Sequence, residues 1–198
     1  MQIEPVSLSG NVVRLELLSL DHAAGLLRAG EDISTWDYMP TNPCKSMDTM
    51  QTWIRATLQE YEAGRCLPFT IIERRSGRIV GSTRYMNIMR KDRGLEIGWT
   101  WLAPEVRRSA VNTECKYLLL RHAFETLGAI RVQLKTDSRN LRSQRAIERL
   151  GAVKEGVLRN HVIMPDGYFR HSVFYSILDS EWPPVKSNLE AKMHAASK

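Results

Sequence analysis

Three consecutive residues, Arg107, Arg108 and Ser109, stand directly before a helical apolar pattern made by Val111, Cys115, Leu118, Leu119 and Ala123. The first turn of a helix has free N–H groups and a partial positive charge. Two guanidiniums and a hydroxyl at that place form a receptor for a phosphate or pyrophosphate. Asn112 suits the N-cap, with Glu114 as an acid in the first turn. The same stretch reads equally well as a solvated loop, since a strand–loop–helix junction alone is not specific. Metal chemistry is not indicated. His22, His122, His161, His171 and His194 lack ligand spacing, and so do Cys44, Cys66 and Cys115.

The elements that must position this loop can be read outward from it. Leu95, Ile97, Trp99 and Trp101 alternate with Glu96, Gly98 and Thr100, which predicts a strand with one apolar face, stopped by Pro104. Before it, Leu67–Glu73 and Arg78–Met89 read as strands. Turns at Ser76-Gly77 and Lys91–Gly94 complete an antiparallel meander. Further upstream lie a strand over Asn11–Leu18, a short helix capped by Asp21, and a helix from Asp48 to Gly64 that buries Met50, Trp53, Ile54, Leu58 and Tyr61. The irregular stretch 31–46 holds Trp36, Tyr38 and Met39, and reads either as a cover for a pocket or as packing. After the central helix ends at Gly128, Ile130, Val132, Leu134 and Thr136 predict a strand with one buried face. Asn140 then caps a helix that Gly151 closes, and Pro165-Asp166-Gly167 joins two final strands over 152–163 and 168–179. This order is that of a mixed α/β (α+β) sheet of about seven mostly antiparallel strands with helices on both faces. From Trp182 onward the chain is polar without apolar period, and is expected to fray.

With 198 residues, 43% hydrophobic and 25% charged, the chain is expected to form one domain over 1–182, with 183–198 as a polar tail. No run reaches the roughly 18 apolar residues of a membrane span. Glu4 and the lack of an apolar run behind it argue against a secretion signal. An odd number of cysteines suits reduced thiols and a cytoplasmic location. The net charge of +6 is dispersed along the chain, so it suits an anionic cofactor or acidic substrate as well as nucleic acid. No nucleic-acid-binding motif or single basic helix supports the latter partner.

Six short pieces in this order resemble the GCN5-related N-acetyltransferase (GNAT) superfamily, and within it the branch of the ribosomal-protein N-terminal acetyltransferases. They are Glu-Ile-Gly-Trp-Thr-Trp-Leu at 96–102, Asn-Thr-Glu at 112–114 with His-Ala-Phe at 122–124, and Asn-Leu-Arg-Ser at 140–143. Arg-Leu-Gly-Ala at 149–152, Glu-Gly-Val-Leu-Arg at 155–159 and Asp-Gly at 166–167 complete the set. The resemblance runs from about Val12 to Trp182. One departure stands in the phosphate loop, where the superfamily's pattern has small residues and this chain has Ala110 and Asn112.

The resemblance implies transfer of an acetyl group from acetyl-CoA to a primary amine, by direct attack in a ternary complex. The amine would belong to a protein N-terminus or a small molecule. It implies pantetheine along the backbone of Trp101 and Leu102, and pyrophosphate on Arg107, Arg108, Ser109, Ala110, Val111, Asn112 and Thr113. Asn140 would contact pantetheine, and reads also as a plain helix cap. Such chemistry needs a base for the ammonium and an acid for the departing thiolate. Glu96, on the strand face away from Ile97, Trp99 and Trp101, is the candidate base, and a salt bridge with an arginine is its other reading. Ser143, one turn past Asn140, is the candidate acid or else a solvated hydroxyl. A backbone N–H of the central strand would meet the oxyanion. His161 and His171 read as pocket-lining or as packed, and Cys115 as an inert core thiol. The altered loop also leaves open a non-catalytic acyl-CoA-binding module. A homodimer is compatible with the resemblance; a membrane partner is not expected.

Overall fold

Eight strands form one sheet in the order β1-β2-β3-β4-β5-β6-β8-β7. The structure, a computed structural model, describes residues 1–196. The strands are β1 (Leu8–Ser9), β2 (Val13–Leu17), β3 (Leu67–Glu73), β4 (Ile79–Met89), β5 (Gly94–Leu102), β6 (Arg131–Asp137), β7 (Val153–Ile163) and β8 (Phe169–Leu178). The helices are α1 (Ala23–Ala29), α2 (Met47–Glu62), α3 (Ala110–Arg121), α4 (Leu141–Leu150) and α5 (Trp182–Ala196). All neighbouring strands pair antiparallel except β5 with β6. The meander β3–β5 and the hairpin β7–β8 lie where turn residues and alternation place them. The two-residue β1 brings the strand count to eight.

Neighbouring side chains on β4 show how the helices divide between the faces. Arg84 donates to Thr57 of α2, whereas Tyr85 donates its hydroxyl to the Leu119 carbonyl of α3. Strand alternation therefore puts α2, with α1 packed on it, on one face and α3 on the other. Leu15, Phe69, Ile71, Tyr85, Ile97, Leu118, Leu119 and Val132 fill the core between layers.

The C-terminal segment corrects the sequence reading. Residues 182–196 form a helix, α5, that packs along α3 through buried Trp182, Val185 and Leu189. Those residues stand at i, i+3 and i+7, one helical stripe. Pro183 and Pro184 occupy the first turn, where a missing N–H costs nothing. Trp182 Nε1 donates to Glu125, and Phe124 stacks on its ring. Residues 197–198 of the expected tail lie outside the described residues.

Two further corrections concern the centre of the fold. The N-cap of α3 is Ser109, whose Oγ accepts from the Val111 N–H, so Asn112 lies inside the helix. Glu114, expected as a first-turn acid, is buried and faces the other way along the chain. Its carboxylate accepts from the backbone N–H groups of Asn11, Val12 and Val13 at 2.8, 2.6 and 2.7 Å. It thus ties the start of β2 to α3 through three backbone amides.

A cleft between diverging strands

β5 and β6 run parallel for only three pairs, Gly94 with Arg131, Leu95 with Val132 and Glu96 with Gln133. Beyond them β5 stays with β4 while β6 stays with β8, and the two strands separate. The divergence is seated on a bulge. Arg84 pairs with Gly98 but Ser82 pairs with Trp101, so β5 carries one residue more than β4 across this interval. Trp99 takes the strain with φ of 50°, a left-handed conformation that costs an aromatic residue about 1–2 kcal/mol. Its ring is held by Trp53 and by the Arg84 guanidinium 4.9 Å away, in the same wedge.

The bulge overturns the expected strand faces. Trp99 and Trp101 do not share a face with Ile97. The extra residue reverses the alternation, so both tryptophans point to the α1–α2 face, as Glu96 does, with Trp101 packed on Trp36. Thr100 turns instead to α3, where its hydroxyl meets Thr83 and receives Lys116 Nζ at 2.5 Å. A cavity of about 790 Å³ lies at the gap and is lined by residues from both faces of the sheet. Along it the β6-facing edge of β5, from Ile97 to Leu102, has no strand partner.

On the α3–α4 side the wall is cationic. Arg108 is exposed, has φ of 62°, and forms no ion pair among the described residues. Arg107 is differently employed. It donates to the Leu102 carbonyl and, at 2.6 Å, to Thr35, and it faces Asp32, so it pins the 31–36 segment to the end of β5. Ala110 and Asn112 lie within α3 and neither has positive φ, so no glycine is needed at the two altered positions. Ser109 satisfies only Val111, which leaves the first-turn amides of Ala110 and Asn112 for an outside acceptor. Thr113 lines the cavity one residue on. Arg142, Arg145 and Arg149, spaced i, i+3 and i+7 on α4, line the same wall. Lys116 lies deeper, and burial pushes its ammonium down to about 8.

Asn140 caps α4 by accepting the Ser143 N–H at 3.0 Å, which leaves its amide nitrogen available. Ser143 is half-buried on the cavity wall, and its hydroxyl makes no hydrogen bond among the described residues. Trp101 Nε1, buried at the cavity, also has no acceptor. Such a donor is left unpaired at a cost unless a ligand meets it.

On the α1–α2 side Glu96 is 1% exposed yet borders the cavity. Its Oε2 accepts from Asn87, Gln133 and Lys135 at 2.9, 2.8 and 3.2 Å. Its Oε1 has no donor among the described residues. The ion pair is made with a lysine and not with an arginine. Tyr38, Met39 and Pro40 cover this mouth, as one reading of the 31–46 stretch had it. His161 donates to or accepts from Ser172, and burial holds it below its usual value, with Lys135 and Arg170 adding to the effect. His171 accepts the Asn160 N–H outside the cavity. Cys115 is buried in the core with its thiol pushed up to about 11. Among the described residues no cluster of histidine, cysteine or acidic groups could hold a metal, and no helix is long and apolar enough to cross a membrane.

The cleft thus gathers Glu96, Trp101, Leu102, Arg107, Arg108, Ser109, Asn112, Thr113, Asn140 and Ser143 around one cavity. Val111 is buried behind the helix start and offers only backbone. Sequence reasoning missed Lys116, Lys135, Arg170 and the α4 arginines. The last were visible as a one-face spacing of Arg142, Arg145 and Arg149, whereas nothing local marks the other three.

The eight-stranded sheet is thus split beside a cation-lined helix start, with an open backbone edge in the split. The chain matches the acetyltransferase (GNAT) domain over residues 13–153, and it belongs to that family of acetyltransferases, which use acetyl-CoA. A crystal structure of a GCN5-related N-acetyltransferase from Brucella melitensis is 28% identical with a TM-score of 0.90, covering 96% of this chain and 86% of that one. A protein from T. thermophilus, provisionally assigned as an acetyltransferase, is 40% identical with a TM-score of 0.87, covering 97% of this chain and 99% of that one. The Bacillus subtilis protein YdaF, provisionally named a ribosomal N-acetyltransferase, is 27% identical over 81% of this chain and 86% of its own length.

Proposed function

We propose that the cleft transfers the acetyl group of acetyl-CoA directly to a primary amine, with donor and acceptor bound together. The observation that carries this reading is the separation of β5 from β6, beside which one cavity is lined by residues from both faces of the sheet. A donor can lie on the α3–α4 side while an acceptor enters past Tyr38 and Met39. The relationship to YdaF, provisionally named a ribosomal N-acetyltransferase, favours an amine of a protein as acceptor, with a small-molecule amine as the other member of the class.

The residues present fit acetyl-CoA. The unpaired edge of β5 at Trp101 and Leu102 suits an amide-bearing pantetheine arm, and the Asn140 amide nitrogen and Trp101 Nε1 add donors. Arg108, the amides of Ala110 and Asn112, Ser109, Thr113 and the α4 arginines suit the phosphates. Arg107 acts through position, by holding the loop. Acetyl-CoA supplies an activated acyl group as a thioester.

The chain's own residues do the rest. Glu96 is clamped through Oε2 and borders the cavity with Oε1 unpaired among the described residues, which supports a role in accepting a proton from the acceptor ammonium directly or through one water. The Ser143 hydroxyl, unpaired among the described residues on the cavity wall, supports a role as donor to a departing thiolate. Backbone N–H groups on the open edge of β5 are preorganised donors for a developing oxyanion. Incubation with acetyl-CoA and a panel of N-terminal peptides and small amines, followed by thiol release, tests the reading. Thiol release that rises with a primary amine supports it, and binding of coenzyme A with no acceptor-dependent release from any amine would refute it.

A further inference from the structure

The acceptor side of the cleft holds one cation that the fold does not neutralise. Arg170, on β8, is 8% exposed and lines the cavity. Around it the charges pair off. Glu96 takes Lys135 at 3.2 Å, and Asp137 takes Arg139 through both oxygens and the Arg139 backbone N–H. The Arg170 guanidinium reaches only neutral acceptors, the Ser172 hydroxyl at 3.2 Å and the Tyr38 carbonyl at 3.3 Å. Among the described residues it has no ion-pair partner, and Glu96 and Asp137 act on it only from a distance. Burial accordingly holds this guanidinium below its usual value. A buried charge without a counter-charge is costly, and is retained where a ligand supplies the opposite sign. A guanidinium fork favours a planar two-oxygen anion.

We infer that the acceptor carries a carboxylate close to its reactive amine and that Arg170 selects for it. This rests on the acetyl-transfer reading above. The amine lies at Glu96 Oε1 and the carboxylate at Arg170, on the same face of the sheet and under the same Tyr38–Pro40 cover. The carboxylate has two sources: the α-carboxylate of an amino acid, or an acidic side chain at the start of a peptide. Arg170 is a specificity residue here.

Matched acceptor pairs test this. Free glutamate and glycine are compared with their α-amides, and peptides beginning Asp or Glu with those beginning Asn or Gln, all at saturating acetyl-CoA. In the wild-type protein the carboxylate member of at least one pair set should be preferred in kcat/KM by on the order of tenfold to a hundredfold, as expected for a charge-assisted bidentate contact. Arg170→Gln should erase that preference while leaving the KM for acetyl-CoA unchanged, and Arg170→Lys should keep part of it. A residue that merely pins the cover would lower both members of every pair alike, which would overturn the inference. So would an unselective wild-type protein, or a preference that survives in both variants.

Equilibrium binding of the N-acetylated products to the protein with coenzyme A gives a readout independent of turnover. Arg170-dependent preference for the carboxylate product without any thiol release would sustain Arg170 as a carboxylate-binding residue and sink the acetyl-transfer reading. Equal release from both members with equal product binding would do the reverse.

Discussion

Lys116 is a buried cation whose energetic effect can be worked through in sign and size. Its Nζ hydrogen-bonds Thr100 and has no carboxylate partner among the described residues, and burial lowers it from 10.5 to about 8. Below pH 8 the folded and unfolded chains both hold the proton, and the folded state bears the whole desolvation cost. Between about 8 and 10.5 the unfolded chain keeps a proton that the folded chain has released, so the lysine's contribution to stability improves as pH rises. Above 10.5 the cost is gone. A displacement of this size corresponds to about 3 kcal/mol. Lys116→Met keeps most of the side-chain volume, removes the charge, and gives up a hydrogen bond of about 1 kcal/mol. The variant should therefore be about 2 kcal/mol more stable than wild type at pH 7, and about 1 kcal/mol less stable near pH 10.5. Urea unfolding of both proteins at pH 7, 9 and 10.5 measures the difference, in which the other titrating groups cancel. A difference that does not change with pH, or a variant already destabilised at pH 7, would refute the claim that this wall of the cleft is desolvated.

Four other outcomes are expected. Glu96→Gln should lower kcat/KM on the order of 100-fold with coenzyme A affinity intact; a loss of melting temperature with unchanged turnover would make the carboxylate purely an anchor for Lys135. Ser143→Ala should lower kcat by about tenfold or more without changing the KM for acetyl-CoA, and normal turnover would leave the hydroxyl without a role. The two loop arginines should separate. Arg108→Ala should weaken coenzyme A binding by about 1–3 kcal/mol in calorimetry, whereas Arg107→Ala should chiefly lower thermal stability by loosening the 31–36 segment; equal affinity losses from both would contradict the assigned division. Glu114→Gln should destabilise the fold by about 2–3 kcal/mol in urea, because one amide oxygen cannot serve three backbone N–H groups, and a neutral result would contradict that account.

Much of the architecture was legible before any coordinates, because its signals are local. Val132, Leu134 and Thr136 alternate and are buried on β6 as expected, whereas Ile130, expected on the same face, precedes the strand and is exposed. Asn140 caps α4 and Gly151 ends it with φ of 100°, a conformation that glycine adopts without steric cost. The phosphate-type junction at Arg107–Thr113 was readable too, as basic residues before a helix start. α5 was missed although Trp182, Val185 and Leu189 form a stripe. Polar residues on its other three faces and two prolines at its start dilute that stripe below the level at which periodicity stands out.

What this chain's sequence settles by itself is the order of strands, helices and turns from β2 to β8, since each depends on propensity and spacing within a few residues. The site needed the tertiary structure. Trp99 adopts φ of 50° only because Trp53, Arg84 and the flanking β4 register hold it there, and that single residue sends Trp101 to the face of Glu96. Glu114 and Lys116 sit among the buried residues of α3, not on a solvated stripe, because backbone amides from β2 and a hydroxyl from β5 arrive to meet them. Arg170 is an ordinary strand arginine in sequence, and becomes an unneutralised charge only once Lys135 and Arg139 have taken the nearby carboxylates. Partners that lie tens of residues apart decide these burials, and no local pattern in the chain encodes which of them will meet.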